Sequence, residues 1–164
     1  MSILQGANFE LTHTTAQHRV GTVARNDEGQ EAIYVQADDV VAAKAPVYTD
    51  AAIGGSGTAA NAPYVVTPIT AVDQAIVGIA PVAIAAGSYG WVINRGIVAG
   101  VKSTAAAIND FCVSSATADT IKTIPSTAVN PVKVDFDALV AACAGVRIKA
   151  VTAAAAGVST VLLY

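Results

Sequence analysis

The sequence is poor in charge, in aromatic side chains and in cysteine. Charged residues make up 13% and aromatic residues 5% of the 164 residues, whereas an average soluble domain is about 25% charged. The apolar content is nevertheless 54%, and alanine and valine carry most of it. Such hydrophobicity excludes an intrinsically disordered chain, which has the opposite balance. The net charge of −3 predicts no basic surface for nucleic acid phosphates or anionic lipids.

The two cysteines, Cys112 and Cys143, give no sign of a metal site. They form no Cys-x-x-Cys pair and have no histidine nearby in sequence, as the common zinc sites require. A disulfide between them would stabilise the fold by about 3 to 4 kcal/mol. No signal peptide is recognised and nothing else marks a secreted protein, so buried thiols are favoured over a bridge.

Charge is also distributed unevenly along the chain. Between residues 51 and 94 the single charged side chain is Asp73, which predicts that another protein covers this region. The uncharged residues 75–93 approach the length of a transmembrane helix. Pro81, Gly87 and Gly90 interrupt that stretch, however, so two strands joined by a turn are predicted and no membrane partner is expected.

Short apolar runs, separated by Gly, Pro, Asn and Asp, dominate the remaining sequence. Strands are predicted at residues 20–25, 31–37, 45–49, 65–72, 75–84, 89–101, 111–114, 120–124, 132–134, 146–152 and 158–163. This pattern predicts an all-β fold, either a β-barrel of the β-tulip kind or a sandwich, with one or two short helices. One helix is predicted at residues 137–145, with Asp137 as its N-cap and Gly145 at its end.

The chain is divided into an extended arm, residues 1–19, and one β-rich domain, residues 20–164. The arm is rich in Thr, Gln, Asn and His. Ordering a residue's backbone costs about 1 to 2 kcal/mol, and the arm has little apolar surface to offset that cost. We therefore expect it to order only against a partner, and a chain without residues 1–18 to fold with nearly unchanged stability.

Two further patterns concern the strands. Residues 83–93 are similar to residues 153–163, because each segment has an alanine-rich turn that ends in glycine and leads into an apolar strand. Either an internal repeat or the high alanine content accounts for this similarity. In residues 89–101, alternate positions place Trp91, Ile93 and Ile97 on one face, which indicates a central strand that packs on the core.

No set of catalytic residues is recognised. Ser88 lies in an Ala-Gly-Ser-Tyr-Gly sequence like a nucleophile elbow, but His13 and His18 precede it, whereas that kind of triad places its histidine after the serine. Residues 55–60 match a dinucleotide-binding pattern, yet Pro63 follows where a helix is needed. The sequence therefore predicts no enzyme, no cofactor and no metal site. A sugar-binding module is also disfavoured, because the chain has one tryptophan.

Two segments resemble known proteins. Residues 76–80 read Ile-Val-Gly-Ile-Ala, residues 85–92 read Ala-Ala-Gly-Ser-Tyr-Gly-Trp-Val, and Gly96 follows. Residues 39–48 read Asp-Val-Val-Ala-Ala-Lys-Ala-Pro-Val-Tyr. Across residues 35–101 the chain resembles head decoration, or cement, proteins of tailed bacteriophages. Asp38 or Asp39, and also Ala45, stand where those proteins have glycine.

The resemblance implies a structural virion protein on the outer capsid surface, made in the bacterial host cytoplasm. Such a protein stabilises the capsid by binding across major capsid protein subunits, commonly as a homotrimer. The alternative is a structural component of a phage tail tube, adaptor or fibre. Side chains of the arm and exposed aromatic residues are the expected partner contacts: Phe9, Leu11, His13, His18, Tyr64, Tyr89 and Trp91.

Overall fold

The computed structural model describes residues 4–49, 64–71, 74–104, 111–115, 117–124, 148–150 and 158–164. Strands account for 52% of this part, no helix occurs in it, and it contains a closed five-stranded β-barrel. The predicted all-β barrel class is therefore confirmed. The strand predicted at residues 132–134 and the helix predicted at residues 137–145 lie outside the described residues, as does Cys143.

Eleven strands occur among the described residues. They are β1 (Leu4–Gln5), β2 (Val23–Arg25), β3 (Glu31–Ala37), β4 (Pro46–Thr49), β5 (Val65–Pro68), β6 (Ile76–Ile79), β7 (Tyr89–Thr104), β8 (Phe111–Ser114), β9 (Ile121–Ile124), β10 (Ile148–Ala150) and β11 (Val158–Leu163). All except β1 overlap strands predicted from the sequence. No helix long and apolar enough to cross a bilayer is found in the same part of the chain.

The turn between β2 and β3 forms through its polar residues. Asn26 Oδ1 accepts hydrogen bonds from the backbone N–H groups of Glu28 and Gln30, at 3.1 and 2.9 Å. Gly29 has φ +78°, a left-handed conformation that glycine adopts at little cost. The hairpin predicted at residues 20–37 is confirmed.

Strand pairing closes a first strand ring in the order β3-β5-β4-β6-β7. β3 pairs with β5 in parallel and with β7 in antiparallel, which joins the two ends of the ring. β4 pairs with both β5 and β6, and β6 pairs with β7. Buried small and branched side chains form one continuous cluster along these strands and their loops: Val35, Ala37, Val41, Ala45, Val47, Val66, Ala80, Ile84 and Val92.

This packing explains why the described residues 64–71 and 74–94 lack charge. Val66, Ile79 and Ile84 are fully buried, and a charged side chain in their place would lose its hydration without a partner. The expectation that another protein covers this region is wrong for these side chains, because the chain's own strands bury them.

A second strand ring repeats the plan of the first. Beyond its contacts with β3 and β6, β7 pairs with β11 in antiparallel and with β9 in parallel. The order β7-β9-β8-β10-β11 therefore matches β3-β5-β4-β6-β7, with one parallel pair at the same place in each ring. The two rings share β7, which is 16 residues long. The matching positions of β7 and β11 favour an internal repeat over chance similarity.

A β-bulge marks the point where β7 passes from one ring to the other. Arg95 pairs with Glu31 and Ile93 pairs with Ala32, so one extra residue, Asn94, lies between these pairs on β7. Gly96 follows with φ +110°. An extra residue changes which side chains point outward. The predicted alternation therefore holds at Ile93, which is 2% exposed, and is wrong at Ile97, which is 54% exposed.

Candidate functional site

The arm covers the outer face of β3 and β7. Phe9 is 4% exposed and packs on Trp91, with 5.5 Å between the two aromatic centroids. The imidazole of His18 lies 5.1 Å from the centroid of Tyr34 and 5.4 Å from that of Trp91. Tyr34 and Trp91 are themselves 5.0 Å apart in an edge-to-face arrangement, which aromatic pairs prefer. We call these four residues the aromatic cluster.

Hydrogen bonds attach the arm backbone to the same face. The N–H of His13 donates to the carbonyl of Tyr89 at 2.9 Å, and the N–H of Tyr89 donates back at 2.8 Å. The N–H of Gln17 donates to the Tyr34 hydroxyl at 3.2 Å. The expectation that the arm orders only against a partner is therefore wrong. The face of β3 and β7 supplies the burial that the arm's own sequence lacks.

The residues predicted to bind a partner divide by exposure. Phe9 and Trp91 are buried, His13, His18 and Tyr89 are half-buried, and Leu11 and Tyr64 are 50% and 36% exposed. The structure brings the rings of His13, His18, Tyr89 and Trp91 around Tyr34, with centroids 5.0 to 6.4 Å from that of Tyr34, and Phe9 packs on Trp91. The sequence does not single out Tyr34, because it resembles any apolar residue of a strand. Of the seven, Leu11 and Tyr64 are the side chains most accessible to a partner.

A second candidate site lies where the two decoration-protein-like segments meet. Val41 and Ile84 exchange two backbone hydrogen bonds of 2.9 Å each. The carbonyl of Ala37 accepts from the N–H of Gly87 at 2.8 Å, and its N–H donates to the carbonyl of Ser88 at 2.9 Å. The loop after β3 therefore runs beside the loop before β7. We call the exposed apolar surface of these two loops the apolar tip, formed by Val40, Ala83, Ala85 and Ala86.

The apolar tip has the chemistry of a protein-binding surface. Val40 is 63% exposed, a high value for a large apolar side chain. Asp38 and Asp39 lie exposed beside it, and Asp39 Oδ1 accepts a hydrogen bond from the N–H of Val40 at 2.6 Å. An apolar centre with a charged rim is typical of protein interfaces.

Ser88 lies in a turn between the apolar tip and β7. Its N–H donates to the carbonyl of Ala85 at 3.0 Å, and β7 follows directly, whereas a nucleophile elbow leads into a helix. Within the described ranges, no three His, Cys, Asp or Glu side chains form a group that could hold a metal ion.

Comparison with known proteins adds no assignment. No protein-family model matches the chain, and no curated protein matches it. Function must therefore be inferred from the fold, from the apolar tip and from the resemblance of its two segments.

Proposed function

We propose that the protein is a phage capsid decoration protein, which binds across major capsid protein subunits on the outer surface of the virion and stabilises the shell. The observation that carries the proposal is the meeting of the two decoration-protein-like segments at the apolar tip. Residues 39–48 are separated in sequence from residues 76–80 and 85–92, yet the backbone of Val41 pairs with that of Ile84, directly before the last of these segments. Their exposed ends form one surface, which supports a shared binding role.

The closed β-barrel is the fold that the resemblance implies, and it supports the proposal at the level of architecture. The apolar tip supplies a contact that needs no catalytic group. Removing apolar surface from water is favourable by about 25 cal/mol per square ångström, and this gain offsets the entropy cost of association. Many equivalent copies on one shell make modest individual contacts effective through avidity.

Binding of this kind raises capsid stability by linkage. A ligand that binds the assembled shell in preference to dissociated subunits shifts the equilibrium toward the shell, in proportion to occupancy. The proposal includes a homo-oligomer, the trimer that the resemblance implies. It includes no enzymatic activity and no nucleic acid or membrane partner.

The test uses undecorated capsids assembled from the major capsid protein of the same genome. We expect the purified protein to sediment with these capsids and to raise their melting temperature. Val40→Asp places a charge at the centre of the apolar tip and is expected to weaken capsid binding about 30-fold. Because Val40 is 63% exposed, the folded chain should tolerate this change. Leu4→Asp is the matched control, since Leu4 is an exposed apolar residue on β1.

Two outcomes would contradict the proposal. Failure of the wild-type chain to bind capsids overturns it, and filaments, or rings of more than three copies, of the purified protein in electron micrographs would assign the chain to a phage tail instead. Equal capsid binding by Val40→Asp and wild type would overturn the assignment of the apolar tip.

A further inference from the structure

Each strand ring has an outer face at the equivalent pair of strands. The arm lies over this face in the first ring, and the equivalent face of the second ring is exposed. In the first ring, the arm lies over β3 and β7, and Tyr34 and Trp91 beneath it are at most 2% exposed. The face of β7 and β11 occupies the same place in the second ring. There Ile97, Val158 and Tyr164 are 54%, 39% and 46% exposed. Within the part of the chain that the structure describes, the second ring thus lacks the cover that the first one has.

The exposed surface of the second ring is apolar between two cations. Ile97 lies opposite Leu162, and Lys102 lies opposite Val158. Arg95 precedes the apolar stretch and is exposed, as is Lys102 at its other end. We call this surface the second-ring face, made of Arg95, Ile97, Ala99, Lys102, Val158, Leu162 and Tyr164.

The cover of the first ring ends at the edge of the second-ring face. A groove of about 350 Å³ lies between them, with Phe9 and Glu10 of the arm on one side and Ile97 and Ala99 of β7 on the other. At this boundary Gln30 Nε2 donates to the carbonyl of Ile97 at 2.6 Å. The second-ring face is therefore a direct continuation of the arm-covered surface.

We infer that the second-ring face binds the arm side of a second copy of this chain. On the arm, Leu11 is 50% exposed and follows Glu10, the one charged residue among residues 1–18. On the second-ring face, Ile97 lies between Arg95 and Lys102. Glu31 lies opposite Arg95 at the edge of this face, and its carboxylate pairs with Arg25 at 2.9 Å. In such a contact Leu11 of one copy packs on Ile97 of the next, and the Glu10 carboxylate lies near the cations of that face. Charge pairing of this kind sets the orientation of a complex.

This contact joins two neighbouring surfaces of the chain. Copies related by a rotation repeat it, so it closes into a cyclic oligomer, either a two-fold dimer in which the contact occurs twice or a larger ring. The arm of each copy keeps its own aromatic cluster and offers its outer side to the next copy. The inference rests on the oligomer in the proposed function but not on capsid binding, and it is tested without capsids.

The experiment measures the mass of the full chain by light scattering and sedimentation velocity over a range of concentrations. We expect a closed oligomer, a trimer, for the wild type. Ile97→Asp and Glu10→Lys should each weaken self-association about 30-fold, and adding Lys102→Glu to Glu10→Lys should restore it. Val40→Asp, on the apolar tip, is the control and should leave the mass unchanged. Circular dichroism verifies that each variant is folded. If Ile97→Asp does not fold, Tyr164→Asp, a variant of the same face, takes its place.

A monomeric wild type at every concentration overturns the inference. So does an oligomer that persists in both folded single variants, whatever its number of copies. If Val40→Asp loses capsid binding but keeps the oligomer, then capsid binding through the apolar tip and self-association through the second-ring face are independent.

Discussion

Phe9 and Trp91 pack with 5.5 Å between their aromatic centroids, and this contact joins the arm to the strand shared by both rings. Both side chains are at most 4% exposed. Removing a buried aromatic side chain leaves a cavity and costs about 3 to 5 kcal/mol. Phe9→Ala should lower the free energy of unfolding by that amount in urea titrations. Leu11→Ala is the control, since a half-exposed side chain should change stability by about 0.5 kcal/mol or less; equal effects would contradict the assignment of Phe9 to the core.

Deleting residues 1–18 removes Phe9 and His18 and should expose Tyr34 and Trp91, the rest of the aromatic cluster, to water. Trp91, the one tryptophan, should then emit at longer wavelength, and the melting temperature should fall by about 10 °C, the shift that a loss of 3 kcal/mol or more produces in a chain of this length. This outcome replaces the expectation, drawn from composition, that the shortened chain keeps its stability. Unchanged emission and melting temperature would show that the arm contributes no burial.

Gly78 lies where two strands approach closely. A Cβ at this position would be 2.5 Å from the carbonyl oxygen of Ile93, a backbone atom. We expect Gly78→Ala to cost about 3 kcal/mol, the upper part of the usual range for overpacking. Gly29→Ala is the control, because Gly29 has φ +78° but open space around it, and only the left-handed backbone penalty of about 1 kcal/mol applies. Thermal melts that rank the two variants equally would contradict this packing.

Ser103 and Ser159 share a buried hydrogen bond between β7 and β11. Either serine changed to alanine leaves the other hydroxyl buried without this partner, at a cost of about 1 to 3 kcal/mol. The double variant removes both hydroxyls, so its loss should be smaller than the sum of the single losses by about 1 kcal/mol. Urea titrations of the four proteins measure this coupling, and strict additivity would mean that the hydrogen bond contributes nothing.

Strand positions could be predicted because they depend on local patterns. The apolar run of Val158–Leu163 is visible in the sequence and matches β11. Closure of the rings could not be predicted in this way, because parallel pairs such as Gln36 with Val65 join segments across a long connection. Ile97 was placed wrongly for a similar reason, since the bulge at Asn94 depends on how β7 pairs with Glu31.

The candidate sites were harder to predict than the strands. Composition describes the arm as poor in apolar residues, but it says nothing of the face of β3 and β7 that receives Phe9. Three members of the aromatic cluster, Phe9, His18 and Trp91, are therefore predicted as partner contacts, and Tyr34 is not. The apolar tip depends on the pairing of Val41 with Ile84, and no periodicity in either loop encodes that pairing. The resemblance of both loops to one protein family was the available signal.

The shared strand gives folding a direction. The first strand ring needs only the chain from β3 to the middle of β7, so it can close while the later strands are still unpaired. Closure fixes the conformation of one half of β7, and the other half then extends from an ordered end. The second ring therefore forms on a strand that is already partly ordered, so its formation costs less conformational entropy. We expect refolding in sequential phases, with protection of amide hydrogens from exchange appearing first around Trp91 and Val92 and later around Val101 and Val161.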